Sequence, residues 1–534
     1  MAAADPPDAT TWVADQERVS AFRWRSLLLS EPFLLAVAAA LALAVSVQGA
    51  AFVSSDWPIL STLAGARDHT VVGLAQALSA GQPAMGPVQR WYLAVLYSLW
   101  GWQPLGYKLT DAALLLAAML LAHFQLRQLQ LPRFVSVAVP VAAASSLGIA
   151  MGGTALGDGL ALLLGMLGLY AEVRAMRHGL RRFWYWKPAA LVCLAGACLS
   201  SPNASAVLVA GLLLTLRRVP ELADAELGRL RGGRLRLTQA GLAASAAGAS
   251  AALVGLSPGL SMARVTAWAP SVLAYLWDVL RDPTREPLYL GVGALTALLM
   301  GVTFWRGSGP SWSAPVSSRT CVSLAVLGIL TTGVGAGASW NSRPGAIVAA
   351  GLAMAATGGL GLVASLLPTD LLRREALSVL LALTCAAALL AGAAAVEAHE
   401  AAYASERVAA ASVVQALPRV PAHSTLLVEP ACPSTISALA MRSPATLPAI
   451  MAIAYHDPTD RLVVLGPRVE TEVGWVAIGQ ARGVTSVYPY GERLFIYDEA
   501  QGTAFRLGDA AHAARYFQAY SERADACRRA MTAP

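Results

Sequence analysis

The chain has 534 residues, 56% of them hydrophobic and only 13% charged, with a formal net charge of +7. Soluble globular proteins carry about 25% charged residues, so this composition excludes an ordinary water-soluble domain and calls for lipid around much of the surface. The positive balance does not indicate nucleic acid, because the arginines cluster in short loops between apolar runs, where they orient a chain in a bilayer.

Residues 1–32 form a polar segment with Arg18, Arg23 and Arg25. The apolar run after it has no small-residue cleavage site, so it reads as a first span rather than a cleaved signal. About 11 spans are expected, at roughly 33–53, 104–126, 134–151, 158–173, 188–201, 203–216, 238–256, 287–305, 319–337, 345–367 and 375–396. Their alanine, glycine and leucine content suits helices that pack closely in lipid. The pair around Ser200-Ser201-Pro202-Asn203 is compatible with a broken re-entrant hairpin. Two loops are long, 54–103 and 257–286. Within the first, 87–102 is apolar and aromatic but too short to cross, and reads as a helix lying at the water–lipid interface. Ser271–Leu280, with Tyr275 and Trp277, reads the same way.

From about 397 the composition turns polar, beginning with His399, Glu400, Glu406 and Arg407. Strand-like runs follow at Thr425–Glu429, Arg461–Leu465, Gly474–Ile478 and Leu494–Tyr497, short, β-branched and bounded by turn residues. Ala510–Cys527 reads as a helix. The expected architecture is an all-α polytopic membrane domain over 33–396, followed by a small α+β domain over 397–534. Cys193, Cys198, Cys321 and Cys385 lie in apolar runs as packing residues. Cys432 and Cys527 lie in the tail and can pair in an oxidising compartment.

Basic residues then fix the orientation. One set of loops holds 20 of them: Arg18, Arg23, Arg25, Arg127, Arg133, Arg174, Arg177, Arg181, Arg182, Lys187, Arg217, Arg218, Arg229, Arg231, Arg234, Arg236, Arg306, Arg319, Arg373 and Arg374. The opposite set holds seven: Arg67, Arg90, Lys108, Arg264, Arg281, Arg285 and Arg343. The positive-inside rule places the first set and the N-terminus in the cytoplasm. The two long loops and the tail are then outside. Abundant alanine, arginine and glycine suggest a GC-rich bacterium, and so a bacterial inner membrane.

The first long loop opens with Ser54-Ser55-Asp56-Trp57-Pro58, in which Pro58 is expected to push Trp57 toward extended geometry. Downstream, Gly86 to Asp111 (GPVQRWYLAVLYSLWGWQPLGYKLTD) runs through an aromatic helix, a Gly101 turn and Pro104-Leu105-Gly106-Tyr107. This order resembles the first external loop and second span of GT-C fold membrane glycosyltransferases, including protein O-mannosyltransferase-like members. Thr154–Leu160, with Asp158, resembles the family's second short external loop. The resemblance covers about 30–220, over short and degenerate motifs. It departs from the family in having a single acid, Asp56, where paired acids are frequent.

The resemblance implies an inverting transferase that uses a polyprenyl-phosphate-linked sugar as donor. Asp56 is the candidate general base, and Asp158 orients the acceptor or shares a divalent cation with Asp56. Trp57 and Arg90 join the substrate site. Arg343, Arg264, Arg281 or Arg285 neutralises the leaving phosphate, since a guanidinium matches phosphate geometry. The blander readings are a solvated Asp56, a helix-capping Asp158 and headgroup-binding arginines. Asp111, just inside the second span, is an intramembrane acid or the partner of Lys108 one turn away. His69 and His456 read as surface residues. A non-catalytic scaffold or accessory subunit is the alternative function, with protein partners through the tail. A transporter or flippase is a third, weakened because only Asp111, Lys108 and Glu172 lie near the apolar spans. No phosphate-binding loop, dinucleotide fingerprint or zinc spacing is present.

Overall fold

The computed structural model describes residues 30–48, 51–52, 56–82, 85–131, 133–151, 158–177, 180–201, 208–215, 318–338, 346–421, 424–429, 446–455, 462–464, 468–470, 474–478, 485–498, 501–514 and 516. These are mostly helical. The expected spans 238–256 and 287–305, the loop 257–286 and the helix after 516 lie outside them. The chain divides into two compact units, one of residues 1–48 and 108–396, the other of 49–107 and 397–534. The first long loop and the tail, distant in sequence, therefore belong to the same unit.

In the first unit, α1 (Glu31–Gln48), α6 (Arg133–Met151), α7 (Asp158–Arg177), α8 (Leu180–Ser200), α9 (Ser318–Ala338) and α10 (Ala346–Ser365) join most of α5 (Pro104–Gln128) and the first part of α11 (Asp370–Ala416). Residues 208–215 are also helical. Helix α5 and the stretch Gly159–Arg177 are long and apolar enough to cross a membrane; shorter apolar helical stretches lie at Pro32–Ala44, Phe134–Ser146, Thr320–Thr331, Ala349–Ser365 and Glu375–Leu389. Basic residues mark helix ends, with Arg127 in the last turn of α5 and Arg174 and Arg177 in that of α7. There they meet the negative end of each helix dipole. A continuous core runs through Leu115, Phe134, Val137, Leu169, Leu194 and Leu381.

Small residues let α9 and α10 approach until backbones touch. A Cβ built on Gly328 falls 2.2 Å from the Ala355 nitrogen, and one on Gly358 falls 2.5 Å from the Ala325 nitrogen. Backbone contact of this kind replaces the hydrophobic effect as the source of helix association in lipid. Polar links add to it. His123 on α5 meets the Ser136 carbonyl on α6 at 2.9 Å through Nδ1. Lys187 on α8 pairs with Glu172 on α7, the two residues being 12% and 0% exposed. Cys321 and Cys385 are buried free thiols, and Cys193 and Cys198 are half-buried free thiols.

In the second unit, three short helices follow one another in the first loop: α2 (Trp57–Ala64), α3 (Val71–Gly81) and α4 (Pro87–Trp100). Thr70 caps α3, its hydroxyl accepting the Gly73 amide. The tail contributes the polar end of α11, a 47-residue helix about 70 Å long at 1.5 Å per residue. It then contributes β1 (Thr425–Glu429), α12 (Thr446–Ala454), β2 (Leu462–Val464), β3 (Arg468–Glu470), β4 (Gly474–Ile478), β5 (Thr485–Pro489), β6 (Leu494–Asp498) and β7 (Thr503–Arg506). The larger sheet has the order β2-β1-β6-β7. Its first three strands are parallel, with Leu427 opposite Val464 on one side and Ile496 on the other. β7 closes it antiparallel. The crossover from β1 to β2 runs through α12, which packs against α2 of the loop. β3, β4 and β5 form a separate antiparallel sheet.

Candidate functional site

The loop's aromatic motif explains its own geometry. Helix α4 buries Gln89, Leu93, Ala94 and Leu96 against α3. It leaves Trp91, Val95 and Leu99 exposed at four-residue spacing, at 50%, 41% and 67%. Residues four apart share one helix face, so this is a single apolar stripe with Trp102 beyond it. Gly101 ends the helix at φ +53, in the left-handed region where a side chain is strained. A Cβ on Gly106 would meet the Trp100 ring at 2.2 Å. The hydroxyl of Tyr107, a residue 1% exposed, donates to the Gly101 carbonyl at 2.9 Å. The Gly-x-x-Pro-Leu-Gly-Tyr segment is thus a locked corner, each glycine placed where a side chain would collide or strain.

Asp56 sits at the N-cap position of α2, with φ −83 and ψ −28. Its carbonyl accepts the first backbone bond, from Leu60, at 2.9 Å. Its side chain does not cap the helix, and the residue is 3% exposed. A solvated surface acid is therefore excluded. Trp57 is not extended as the following proline suggested. It opens the helix, with Pro58 in the first turn, where a missing N–H goes unused.

Trp57 is 6% exposed and its indole nitrogen donates to Oε2 of Glu406 at 2.9 Å. Tyr403, one turn before Glu406 on α11, stacks on the Trp57 ring with centroids 5.7 Å apart and planes 12° off parallel. Phe52 meets Trp57, Tyr107 and Tyr403 edge-on at 5.9, 5.6 and 6.3 Å. The Arg407 guanidinium lies 5.7 Å from the centre of the Tyr403 ring. Burial pushes the Tyr403 hydroxyl above its usual pKa; the Arg407 charge opposes that and the Glu406 charge adds to it. Asp56 thus begins a helix whose first side chain is held by aromatic walls and a second buried carboxylate. Glu406, 3% exposed, read from the sequence only as one residue of a polar helix. No local pattern marks it, since its partner lies 349 residues away.

The remaining expected site residues are distributed as follows. Arg90 on α4 donates from Nη1 to the Ser79 hydroxyl of α3 at 3.2 Å. Asp158 opens α7 in the first unit, whereas Asp56 belongs to the second. The amide of Gly159, one of the orphan donors of that helix terminus, is taken at 3.1 Å by Oδ1 of Asp111. Asp111 therefore works as a cap reaching across from α5, and a Cβ on Gly159 would fall 2.3 Å from that oxygen. Arg264, Arg281, Arg285, Arg343, Cys432, His456 and Cys527 lie outside the described residues. Among those described, no three His, Cys, Asp or Glu side chains converge as a metal site. No protein-family model, no curated protein and no solved structure matches the chain.

Proposed function

We propose that the chain is a polytopic membrane glycosyltransferase that takes a sugar from a polyprenyl-phosphate donor on the extracytoplasmic face, with Asp56 as general base. The observation that carries this reading is the state of Asp56. Its carboxylate is almost wholly withdrawn from water, is not spent on capping its own helix, and stands at the start of the loop between the first apolar helix and α5. The resemblance of 86–111 to the corresponding loop of GT-C fold enzymes supports it, as does the alternation of basic and arginine-poor loops. In this reading about 11 spans cross a bacterial inner membrane. The N-terminus is cytoplasmic and the tail extracytoplasmic, and the exposed stripe of α4 rests in the interface, where tryptophan is favoured.

In the proposed reaction the acceptor hydroxyl gives its proton to the Asp56 carboxylate as its oxygen bonds to the anomeric carbon. The anomeric carbon–oxygen bond to phosphate breaks, its electron pair stays on the phosphate, and the sugar inverts. Withdrawal from water makes a carboxylate a stronger base. The positive end of α2 works against that shift. An arginine from the external loops, Arg343 first, serves the leaving phosphate.

A second reading, a non-catalytic scaffold with this fold, is favoured by the close packing of Phe52, Trp57 and Tyr107, each less than a tenth exposed. Purified full-length protein in nanodiscs, given a panel of polyprenyl-phosphate-linked hexoses, separates the two. The transferase reading expects free polyprenyl phosphate from the wild type and at least about a hundredfold slower release from Asp56→Asn. Equal turnover in both removes Asp56 from the role. Absence of turnover in either, with Asp56→Asn lowering thermal stability, supports the scaffold.

A further inference from the structure

The tail enters the site through one face of α11. Tyr403, Glu406 and Arg407 stand at i, i+3 and i+4, positions that share a helix face. Tyr403 stacks on Trp57, Glu406 takes its indole hydrogen, and Arg407 covers Tyr403 from the other end. Trp57 is covalently next to Asp56, and both ring and carboxylate partners are buried. A hydrogen bond to a buried charge is directional and roughly twice as strong as a neutral one. It fixes the rotation of the indole, and with it the first turn of α2 on which Asp56 sits.

We propose that Glu406 is a positioning residue for Asp56, acting through the Trp57 indole, so that the polar end of α11 sets the pose of the candidate base. The proposal rests on the reading of Asp56 given above. It assigns to the tail a direct part in the site, beyond any role as a cap or partner-binding domain. It also brings a buried acid of the tail, Glu406, to the residue that follows Asp56.

The test uses full-length protein in nanodiscs with 15N-labelled tryptophan and 13C-labelled aspartate. Wild type is compared with Glu406→Ala, Glu406→Gln and Trp57→Phe. The Trp57 indole signal is the one lost in Trp57→Phe, and the Asp56 carboxyl signal the one lost in Asp56→Asn. Glu406→Ala is expected to move both signals and speed hydrogen exchange of the indole, while Glu406→Gln, which keeps an acceptor oxygen, restores most of both. With turnover established, kcat falls about 10- to 100-fold in Glu406→Ala with KM within about twofold, as loss of one charge-assisted hydrogen bond implies. The glutamine variant recovers most of the rate. An unmoved indole signal in Glu406→Ala refutes the bond. A moved indole with an unmoved Asp56 signal, or with unchanged kcat, refutes the positioning role. Wild type without turnover sinks the transferase reading alone, since the two NMR signals still decide whether Glu406 sets Asp56. Should Glu406→Ala fail to fold, Trp57→Phe breaks the same link from the donor side and is expected to move the Asp56 signal.

Discussion

Removing Lys187 tests the electrostatics of the first unit most directly. Glu172 is 0% exposed and Lys187 12%, so Lys187→Met leaves a carboxylate with neither its countercharge nor water. Breaking one side of a buried pair costs about 3–5 kcal/mol. The expected loss is therefore about 3–5 kcal/mol. Glu172→Leu is expected to lose less, because Lys187 keeps some exposure and its long stem can carry the ammonium outward. The double variant is expected to lie near wild type, since apolar groups of similar size replace a buried pair at little or no cost. Equilibrium unfolding in mixed micelles, followed by far-UV circular dichroism for all four proteins, closes the cycle. A loss below about 1 kcal/mol in Lys187→Met, or a double variant as unstable as the sum of the singles, refutes the reasoning.

Two further outcomes follow from close contacts. Gly358→Val places a side chain 2.5 Å from the Ala325 nitrogen and 2.6 Å from the Cys321 carbonyl; backbone cannot yield, so α9 and α10 separate at a cost of about 1–3 kcal/mol or more. Gly359→Ala, with nothing within 4 Å of its new methyl, is expected to be neutral in the same equilibrium unfolding assay. The Thr70 hydroxyl and amide hold the Asp68 carboxyl below its ordinary range. Because the folded value is the depressed one, the stability it contributes is present above the ordinary aspartate range and lost as pH falls through the folded value. In a carboxyl NMR titration Thr70→Ala is expected to raise that midpoint part of the way, since the backbone amide bond remains; an unchanged midpoint contradicts the assignment.

The parts of this structure that local patterns encode were legible in the sequence. Among the described residues the apolar runs gave helices, the aromatic stretch gave α4, and β1 and β4 fall on the expected runs because each is short, apolar and bounded by turn residues. α2, α3 and α12 were hidden, because helices of 8, 11 and 9 residues are marginal alone and form by packing on one another. β3 is only three residues long and carries two charges, and β7 is largely exposed and lacks a two-residue period. The site divides in the same way. Asp56 was visible from its place after an apolar run. Glu406 was not, because what makes it notable is a donor 349 positions away. Asp111 could be seen as an acid inside a span, but not as the cap of a helix that begins 47 residues later.

The buried acids can be sorted by what occupies them. Burying a carboxylate is costly unless hydrogen bonds or a countercharge compensate, so each has employment. Glu172 has Lys187. Asp111 has the Gly159 amide at a helix terminus, Asp498 has the Gln501 amide, and Glu406 has the Trp57 indole. The first two join helices of the first unit, and the third bonds only three residues on along the chain. Glu406 differs from the other three in that its donor adjoins another buried acid. Trp57 is covalently next to Asp56, so the bond that holds the indole also bears on the residue that begins α2. That link is the reason to expect that altering Glu406 changes what Asp56 does, and more than how firmly the loop is held.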